Sequence, residues 1–171
     1  MVRGQPSSRS VSEHRSQLSC GVSRSEQATG IYNAWISCLQ SGVSNPWHAI
    51  QLSTGHYVVC QDVLPGVVSV VGVDGQVIHS YRQSQTSDVT VQVHGPSSLA
   101  VTKNDDILLT DQDNQRIQSI NRSTDCVQAL ALSVDGGIRP EGLCLDESRG
   151  RLYVGEWGGQ HRVLVFDGVL L

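Results

Sequence analysis

Short apolar runs alternate with turn-forming residues along most of the chain from about residue 28 onwards. No segment of helical length has apolar residues at a 3.6-residue period, and runs such as ILLTD and VLVF end at or near Gly, Asp, Asn or Pro. This pattern predicts an all-β chain of short strands. The first 27 residues differ, because they are rich in Ser and Arg without apolar periodicity, and residues 1–27 are predicted to form a disordered tail.

Three segments repeat one pattern, and each copy begins around a proline: NPWHAIQLSTGHYVVCQ, GPSSLAVTKNDDILLTD and RPEGLCLDESRGRLYVGE. The prolines are Pro46, Pro96 and Pro140, which lie 50 and 44 residues apart. The first two copies align without a gap, so that residues 67–71 correspond to residues 117–121. This spacing is close to the length of one four-stranded blade of a β-propeller.

The predicted fold class is therefore an all-β, incomplete β-propeller of four-stranded blades over residues 28–171. The second copy divides into strands at residues 98–102, 106–111, 116–121 and 126–132. The blades are expected at about 45–94, 95–138 and 139–171, with the outer strand of a preceding blade at 31–39. The third copy lacks a fourth strand, and closed propellers have four to eight blades, so the chain is expected to need missing blades or self-association to cover its open faces.

The blocks PSSLAV, ILLTD and NQRIQSI resemble, in this order, the NHL repeat of NHL-type β-propellers. The resemblance is strongest in residues 95–121, continues in residues 139–167, and is weakest in the first copy, where Gln61 and Gly66 replace Asp111 and Arg116. It implies a non-catalytic scaffold that binds proteins, with RNA as the second choice. In family members with a RING, such propellers select the substrates of ubiquitin ligases. This chain contains no RING pattern, so ligase activity would require other sequence.

Two alternatives remain open beside the binding scaffold. The blocks also resemble gluconolactonase-like propellers, which would make the chain part of a metal-dependent hydrolase with a divalent ion in its channel. The second alternative is a truncated gene product without an independent function.

Composition narrows the choice of partner only slightly. A net charge of -4 and a pI near 5.8 provide no broad basic surface for nucleic acid. Five dispersed cysteines form no C-x-x-C pair and no zinc-ligand spacing, which favours reduced thiols and a cytoplasmic location. There is no apolar run long enough to cross a membrane, and no cofactor motif, so neither a membrane nor a cofactor is expected.

Asp111, Asn114 and Arg116 bracket the predicted turn between the second and third strands of the second copy. Glu156 and Arg162 hold the equivalent places in the third copy, and recurrence in each blade favours a structural ion pair over a catalytic group. Asn114 is expected in the left-handed conformation that short polar side chains tolerate. The predicted structural markers of the blades are Pro46, Pro96, Pro140, Asp111, Asn114, Arg116, Glu156 and Arg162.

No catalytic constellation is predicted. Glu141, at the entrance of an innermost strand, is a candidate metal ligand. It is a weak candidate, because no second carboxylate occupies the equivalent place in the other copies. Large aromatic side chains and exposed cations are typical contacts for a protein partner. The candidate partner-binding residues are Arg116, Arg162, Trp157, Trp47 and His48.

Overall fold

The computed structural model of the protein describes residues 43–81, 93–130, 132, 137–158 and 161–169. The predicted tail at residues 1–27 and the predicted outer strand at residues 31–39 lie outside these ranges. The described residues form short antiparallel strands and a single turn of 3-10 helix at Glu147–Arg149. The prediction of an all-β chain built from blade-like sheets is confirmed.

The strands form three sheets in chain order. Sheet 1 and sheet 2 are four-stranded and follow the simple up-and-down order, and sheet 3 contains three described strands. Sheet 1 consists of β1 (Pro46–Gln51), β2 (Tyr57–Gln61), β3 (Val67–Val71) and β4 (Val77–Tyr81). Sheet 2 consists of β5 (Pro96–Val101), β6 (Ile107–Asp111), β7 (Arg116–Asn121) and β8 (Cys126–Ala129). Sheet 3 consists of β9 (Pro140–Asp146), β10 (Arg151–Glu156) and β11 (Val163–Asp167).

Each of the three repeat prolines is the first residue of an innermost strand. Each also pairs with the last residue of the second strand, and the register shifts immediately next to that pair in all three sheets. Proline has no N–H to donate to a ladder, so it is tolerated at the first position of a strand and beside a bulge. The alignment of the repeat on its prolines is therefore confirmed.

The ungapped alignment of the first two copies is wrong after the second strand. Gln61 pairs with Val67 in sheet 1, whereas Asp111 pairs with Arg116 in sheet 2. The β2–β3 turn is thus one residue longer than the β6–β7 turn, and Val67 rather than Gly66 stands at the position of Arg116. A one-residue shift exchanges the two faces of a strand, so β3 corresponds to β7 only after this correction.

Apolar side chains fill both junctions between neighbouring sheets. Both faces of sheet 2 are covered, and adjacent residues of β6 point to opposite junctions. Sheets 1 and 2 enclose a cluster that includes Val58, Val70, Leu99, Leu109 and Ile120. Sheets 2 and 3 enclose a second cluster that includes Leu108, Ile117, Leu143, Leu152 and Val154.

The cysteines differ in state among the described residues. Cys60 is a buried free thiol whose pKa burial raises to about 12, which makes it unreactive. Cys126 is free and exposed. Cys144 is disulfide-bonded, which corrects the expectation of reduced thiols at that position. Within the described ranges, no helix has the length and apolar character needed to span a membrane.

Candidate functional site

Asp111 ends β6 and is fully buried. Its Oδ1 accepts hydrogen bonds from the backbone N–H groups of His94 (3.0 Å) and Gly95 (3.2 Å), just before the proline that opens β5. Its Oδ2 accepts hydrogen bonds from Asn114 Nδ2 at 2.7 Å and Gln118 Nε2 at 2.8 Å, and from Arg116 Nε at 3.2 Å. The carboxylate therefore joins the chain entering the sheet to the end of β6 and to β7.

The equivalent residues of the other sheets make the same connection. In sheet 3, Glu156 Oε1 accepts from the Arg139 N–H (3.2 Å), and its Oε2 accepts from Arg162 Nε (2.6 Å). The Arg162 hydrogen bond is the main cause that lowers the pKa of Glu156. In sheet 1 the amide of Gln61 accepts from the Ser44 N–H at 3.0 Å. We call Gln61, Asp111 and Glu156 the strand-end residues. Because the same type of hydrogen bond recurs in all three sheets, these residues have a structural role.

The turn after Asp111 differs from the prediction in one respect. Gln115, with a φ of 54°, adopts the left-handed conformation, and Asn114 does not. Asn114 contributes instead through the hydrogen bond from its side chain to Asp111. The side chains of Arg116 and Arg162 are partly exposed, but each guanidinium is paired with its strand-end carboxylate.

The innermost strands contain polar groups that bond to one another and to neighbouring sheets. His48 Nδ1 accepts a hydrogen bond from the Leu99 N–H at 3.0 Å, and burial lowers the pKa of His48 to about 4. His48 is therefore neutral at pH 7 and links sheet 1 to sheet 2. Ser98 Oγ accepts from the Leu143 N–H at 3.1 Å and links sheet 2 to sheet 3 in the same way.

Glu141, the weak metal candidate, lies on β9 and is half-buried. Its backbone carbonyl accepts a hydrogen bond from Ser97 Oγ at 3.1 Å, a further link between sheets 2 and 3. Among the residues that the structure describes, no three His, Cys, Asp or Glu side chains lie close enough together to hold a metal ion. The geometry around Glu141 thus provides no reason to place a channel metal there.

The exposed aromatic candidates lie at one end of the sheets. We call this end, where β1, β5 and β9 begin and the β2–β3, β6–β7 and β10–β11 turns lie, the entry surface. Contacts between turns and neighbouring strand entrances support its continuity, since a Cβ added at Gly66 would lie 2.7 Å from Pro96 Cδ. Trp47 on β1 is 46% exposed, and Trp157 in the β10–β11 turn is 62% exposed.

Sequence reasoning did not select three residues of the entry surface. Leu64, in the β2–β3 turn, is 87% exposed. His161 and Arg139 are also exposed, and both lie beside Trp157. The rings of His161 and Trp157 meet edge to face with their centroids 6.1 Å apart. The Arg139 carbonyl accepts a hydrogen bond from the Trp157 N–H at 3.1 Å. The sequence contained one clue, because the repeat places Leu64 and His161 in turns and Arg139 just before an innermost strand, all at one end of the sheets.

Comparison with known proteins supports the fold and leaves the activity open. No protein-family model matches the chain, and no curated protein sequence matches it. A solved protein of unknown function from Bacteroides caccae is similar with a TM-score of 0.54 and 19% identity, over 72% of this chain and 46% of that one. A catalytically inactive virginiamycin B lyase from Staphylococcus aureus, solved with quinupristin, is similar with a TM-score of 0.52 and 12% identity, over 72% of this chain and 41% of that one.

Both likenesses are below 25% identity, so they show a shared propeller-like fold of antiparallel sheets. The chain spans less than half the length of these two structures.

Proposed function

We propose that this chain is a non-catalytic, NHL-type β-propeller module that binds a segment of another protein on its entry surface. The proposal combines the resemblance of the repeat to NHL propellers with the exposed groups at the turns. In this role the chain would act as the substrate-recognition part of a larger assembly, as propellers do in NHL-containing ubiquitin ligases.

Trp157 is the observation that carries the proposal. Its indole ring is 62% exposed, yet its backbone is fixed by the hydrogen bond to Arg139 and its ring by the edge-to-face contact with His161. A large aromatic side chain that is held in place in solvent loses little conformational entropy on binding and gains much buried area. These are the properties of an anchor residue for a partner.

The charges around Trp157 indicate the chemistry of the partner. Within the described ranges, Arg162 is paired with Glu156, but no ion pair joins a carboxylate to the exposed Arg139. An acidic residue on a partner would complement Arg139, since a guanidinium and a carboxylate form strong, charge-assisted hydrogen bonds. We therefore expect the bound segment to combine an apolar side chain with an acidic one.

The enzymatic alternatives have less support from the geometry. One structural neighbour is a virginiamycin B lyase, and the repeat also resembles gluconolactonase-like propellers. On the described innermost strands, however, His48 and Ser98 are hydrogen-bonded across sheet junctions, and no three His, Cys, Asp or Glu side chains of the described residues lie close enough together to hold a metal ion. These groups are engaged in structure, which favours binding over catalysis.

The proposal is tested by selecting ligands from a phage-displayed library of random short peptides on the purified chain. Enriched peptides should contain an aromatic or aliphatic residue together with Asp or Glu. Trp157→Ala should weaken binding of a selected peptide about 30-fold, the effect of losing an anchor residue worth roughly 2 kcal/mol. Arg139→Ala should weaken only the acidic peptides.

The matched control is Val73→Ala, because Val73 is also exposed but lies in the β3–β4 turn, at the opposite end of sheet 1 from the entry surface. It should leave peptide binding unchanged. Equal binding by the wild type and the Trp157 variant would contradict the proposal, as would hydrolysis of a lactone or cleavage of quinupristin by the purified chain. If the chain bound a random pool of single-stranded RNA, and if Trp157→Ala abolished that binding, the partner would be RNA and not a protein.

A further inference from the structure

The turn that follows Asp111 presents a carboxylate on the entry surface. Asp113 is exposed, and its carboxylate forms no ion pair or hydrogen bond within the part of the chain that the structure describes. A Cβ added at Gly95 would lie 3.1 Å from Asp113 Cγ, so this side chain rests against the backbone at the entrance of sheet 2. The negative charge therefore has a defined position, and a cation of another molecule can reach it.

Arg139 provides a cation one sheet further along. Its guanidinium lies over the turn that contains Trp157, since a Cβ added at Gly158 would lie 3.5 Å from Arg139 Nη1. Because Arg139 forms no ion pair with any described carboxylate, it can bind an acidic residue beside the exposed indole. Sheets 2 and 3 thus present opposite charges at neighbouring positions of the entry surface.

The exposed groups of the entry surface follow the order of the sheets. Leu64 lies in the β2–β3 turn of sheet 1, Asp113 in the β6–β7 turn of sheet 2, and Trp157 in the β10–β11 turn of sheet 3. The β2–β3 turn contacts the entrance of sheet 2, and a Cβ added at Gly137, just before sheet 3, would lie 3.4 Å from Gln115 Oε1 in the β6–β7 turn. These groups therefore cross three neighbouring sheets, and we call Leu64, Asp113, Arg139 and Trp157 the exposed row.

The spacing of the exposed row fits an extended segment of a partner. Packed sheets lie about 10 Å apart and an extended chain advances about 3.3 Å per residue, so a segment that crosses the row passes roughly one sheet every three residues. Such a segment would first meet Trp157 and Arg139 at sheet 3, and would then meet Asp113 at sheet 2. It would reach Leu64 at sheet 1 last. Charges opposite to those of the row fix the register of the segment, because like charges repel each other.

On the basis of the proposed function, we propose that the partner segment binds the exposed row in extended form and contains three groups in a fixed order. An aromatic residue and an acidic neighbour bind Trp157 and Arg139. A basic residue about three positions away binds Asp113, and an apolar residue about three positions further binds Leu64. Asp113 thereby selects partners by the order of their charges, which Trp157 alone cannot do.

The test measures the affinity of synthetic, fluorescently labelled peptides for the purified full chain by fluorescence anisotropy. One peptide is Glu-Phe-Ser-Lys-Ser-Ser-Leu, and a second has glutamate in place of the lysine. Both are also made in reverse order, and the direction in which binding is tighter is used. The lysine peptide should bind about ten-fold more tightly, because attraction to Asp113 is replaced by repulsion in the glutamate peptide. Asp113→Lys should invert this preference, and Asp113→Asn should remove most of it.

Asp74→Lys is the matched control, because it makes the same change of charge at an exposed residue of the β3–β4 turn, at the opposite end of sheet 1 from the entry surface. It should leave the preference for the lysine peptide unchanged. Circular dichroism shows whether each variant is folded. If Asp113→Lys is not, the Asp113→Asn chain decides, and an unchanged preference for lysine in that chain overturns the role of Asp113.

The remaining outcomes separate this order of groups from the proposed function. Binding that depends on Trp157 but does not distinguish the two peptides would overturn the order and leave the proposed function intact. A helical segment predicts that result, because about 10 Å of helix contains roughly seven residues. If none of the four peptides bound, the order would again be wrong, and the library selection would decide the proposed function separately.

Discussion

His48 is an imidazole whose neutral form is part of the fold. Its Nδ1 accepts the hydrogen bond from Leu99 only when that nitrogen carries no proton, and burial disfavours the charged ring. The side chain therefore fastens sheet 1 to sheet 2 at neutral pH and opposes folding when it is protonated.

The stability of the protein should consequently fall in mild acid. The pKa of His48 is lowered from 6.5 to about 4 in the folded chain, so the unfolded chain binds more protons between these values. The stabilisation is complete above pH 6.5 and is lost as the pH falls from 6.5 to 4, by at most about 3 kcal/mol. Urea unfolding of the wild type and of His48→Asn at several pH values measures this difference.

Asparagine is the informative substitution because its side-chain oxygen can accept the Leu99 hydrogen bond without titrating. The gap in stability between wild type and His48→Asn should change with pH in this window, whereas His79→Gln, at an exposed histidine of β4, should follow the wild type. Parallel pH curves for wild type and His48→Asn would refute the assignment.

Asp111 is held by five hydrogen bonds from donors on three segments, and none of its surface reaches solvent. Asp111→Ala removes the acceptor that two backbone N–H groups and the Arg116 guanidinium share, and losing the acceptor at the centre of a buried hydrogen-bond network is costly. We expect a loss of about 3 kcal/mol in the free energy of unfolding, measured by the shift of the urea midpoint.

Two further variants, one at Asp111 and one in the turn that follows it, provide the comparison for this loss of stability. Asp113→Ala removes an exposed carboxylate and should change stability by less than about 0.5 kcal/mol. Asp111→Asn keeps one acceptor oxygen and should fall between the two, as Gln61 already performs this role in sheet 1. An Asp111→Ala protein as stable as wild type would show that the carboxylate has no structural role.

At the scale of strands and turns, the sheets are joined by polar contacts between equivalent loops as well as by apolar packing. Ser53, in the β1–β2 turn, donates from its N–H and its hydroxyl to the Asp105 carboxylate of the next sheet, at 2.8 and 2.6 Å. The Lys103 N–H donates to Glu147 Oε2 at 2.9 Å one sheet further on. Turn residues thus add polar links to each of the two junctions between neighbouring sheets.

The same scale shows what the sequence could predict. The prolines, the apolar runs and the Asp111–Arg116 and Glu156–Arg162 pairs were sufficient to place the strands and, in the second and third copies, the turn after the second strand, because these features repeat. The extra residue in the β2–β3 turn was not predictable, since the ungapped copies look equally similar and only the pairing of Gln61 with Val67 reveals the shift. The hydrogen-bond partner of His48 was not predictable either, because Leu99 lies far away in the sequence. The contacts of Trp157 depend on the shape of a turn, which the repeat does not determine.

At the scale of the whole molecule, each sheet contacts its neighbours in a row. The apolar clusters join sheet 1 to sheet 2 and sheet 2 to sheet 3, and sheet 2 is the element common to both. Arrays built in this manner derive their stability from each unit and from each junction separately. Damage at one junction should therefore weaken one end of the row more than the other.

Leu108 and Leu109 allow a matched test of this arrangement. They are adjacent on β6, identical in type and fully buried, but Leu108 packs against sheet 3 and Leu109 against sheet 1. Replacing either with alanine should cost about 2 to 5 kcal/mol through lost burial and the cavity left behind. Hydrogen exchange should then rise mainly in β9 and β10 for Leu108→Ala and mainly in β2 and β3 for Leu109→Ala. If both variants raised exchange equally in all three sheets, the described sheets would unfold as one cooperative unit, and the row of separable junctions would be wrong.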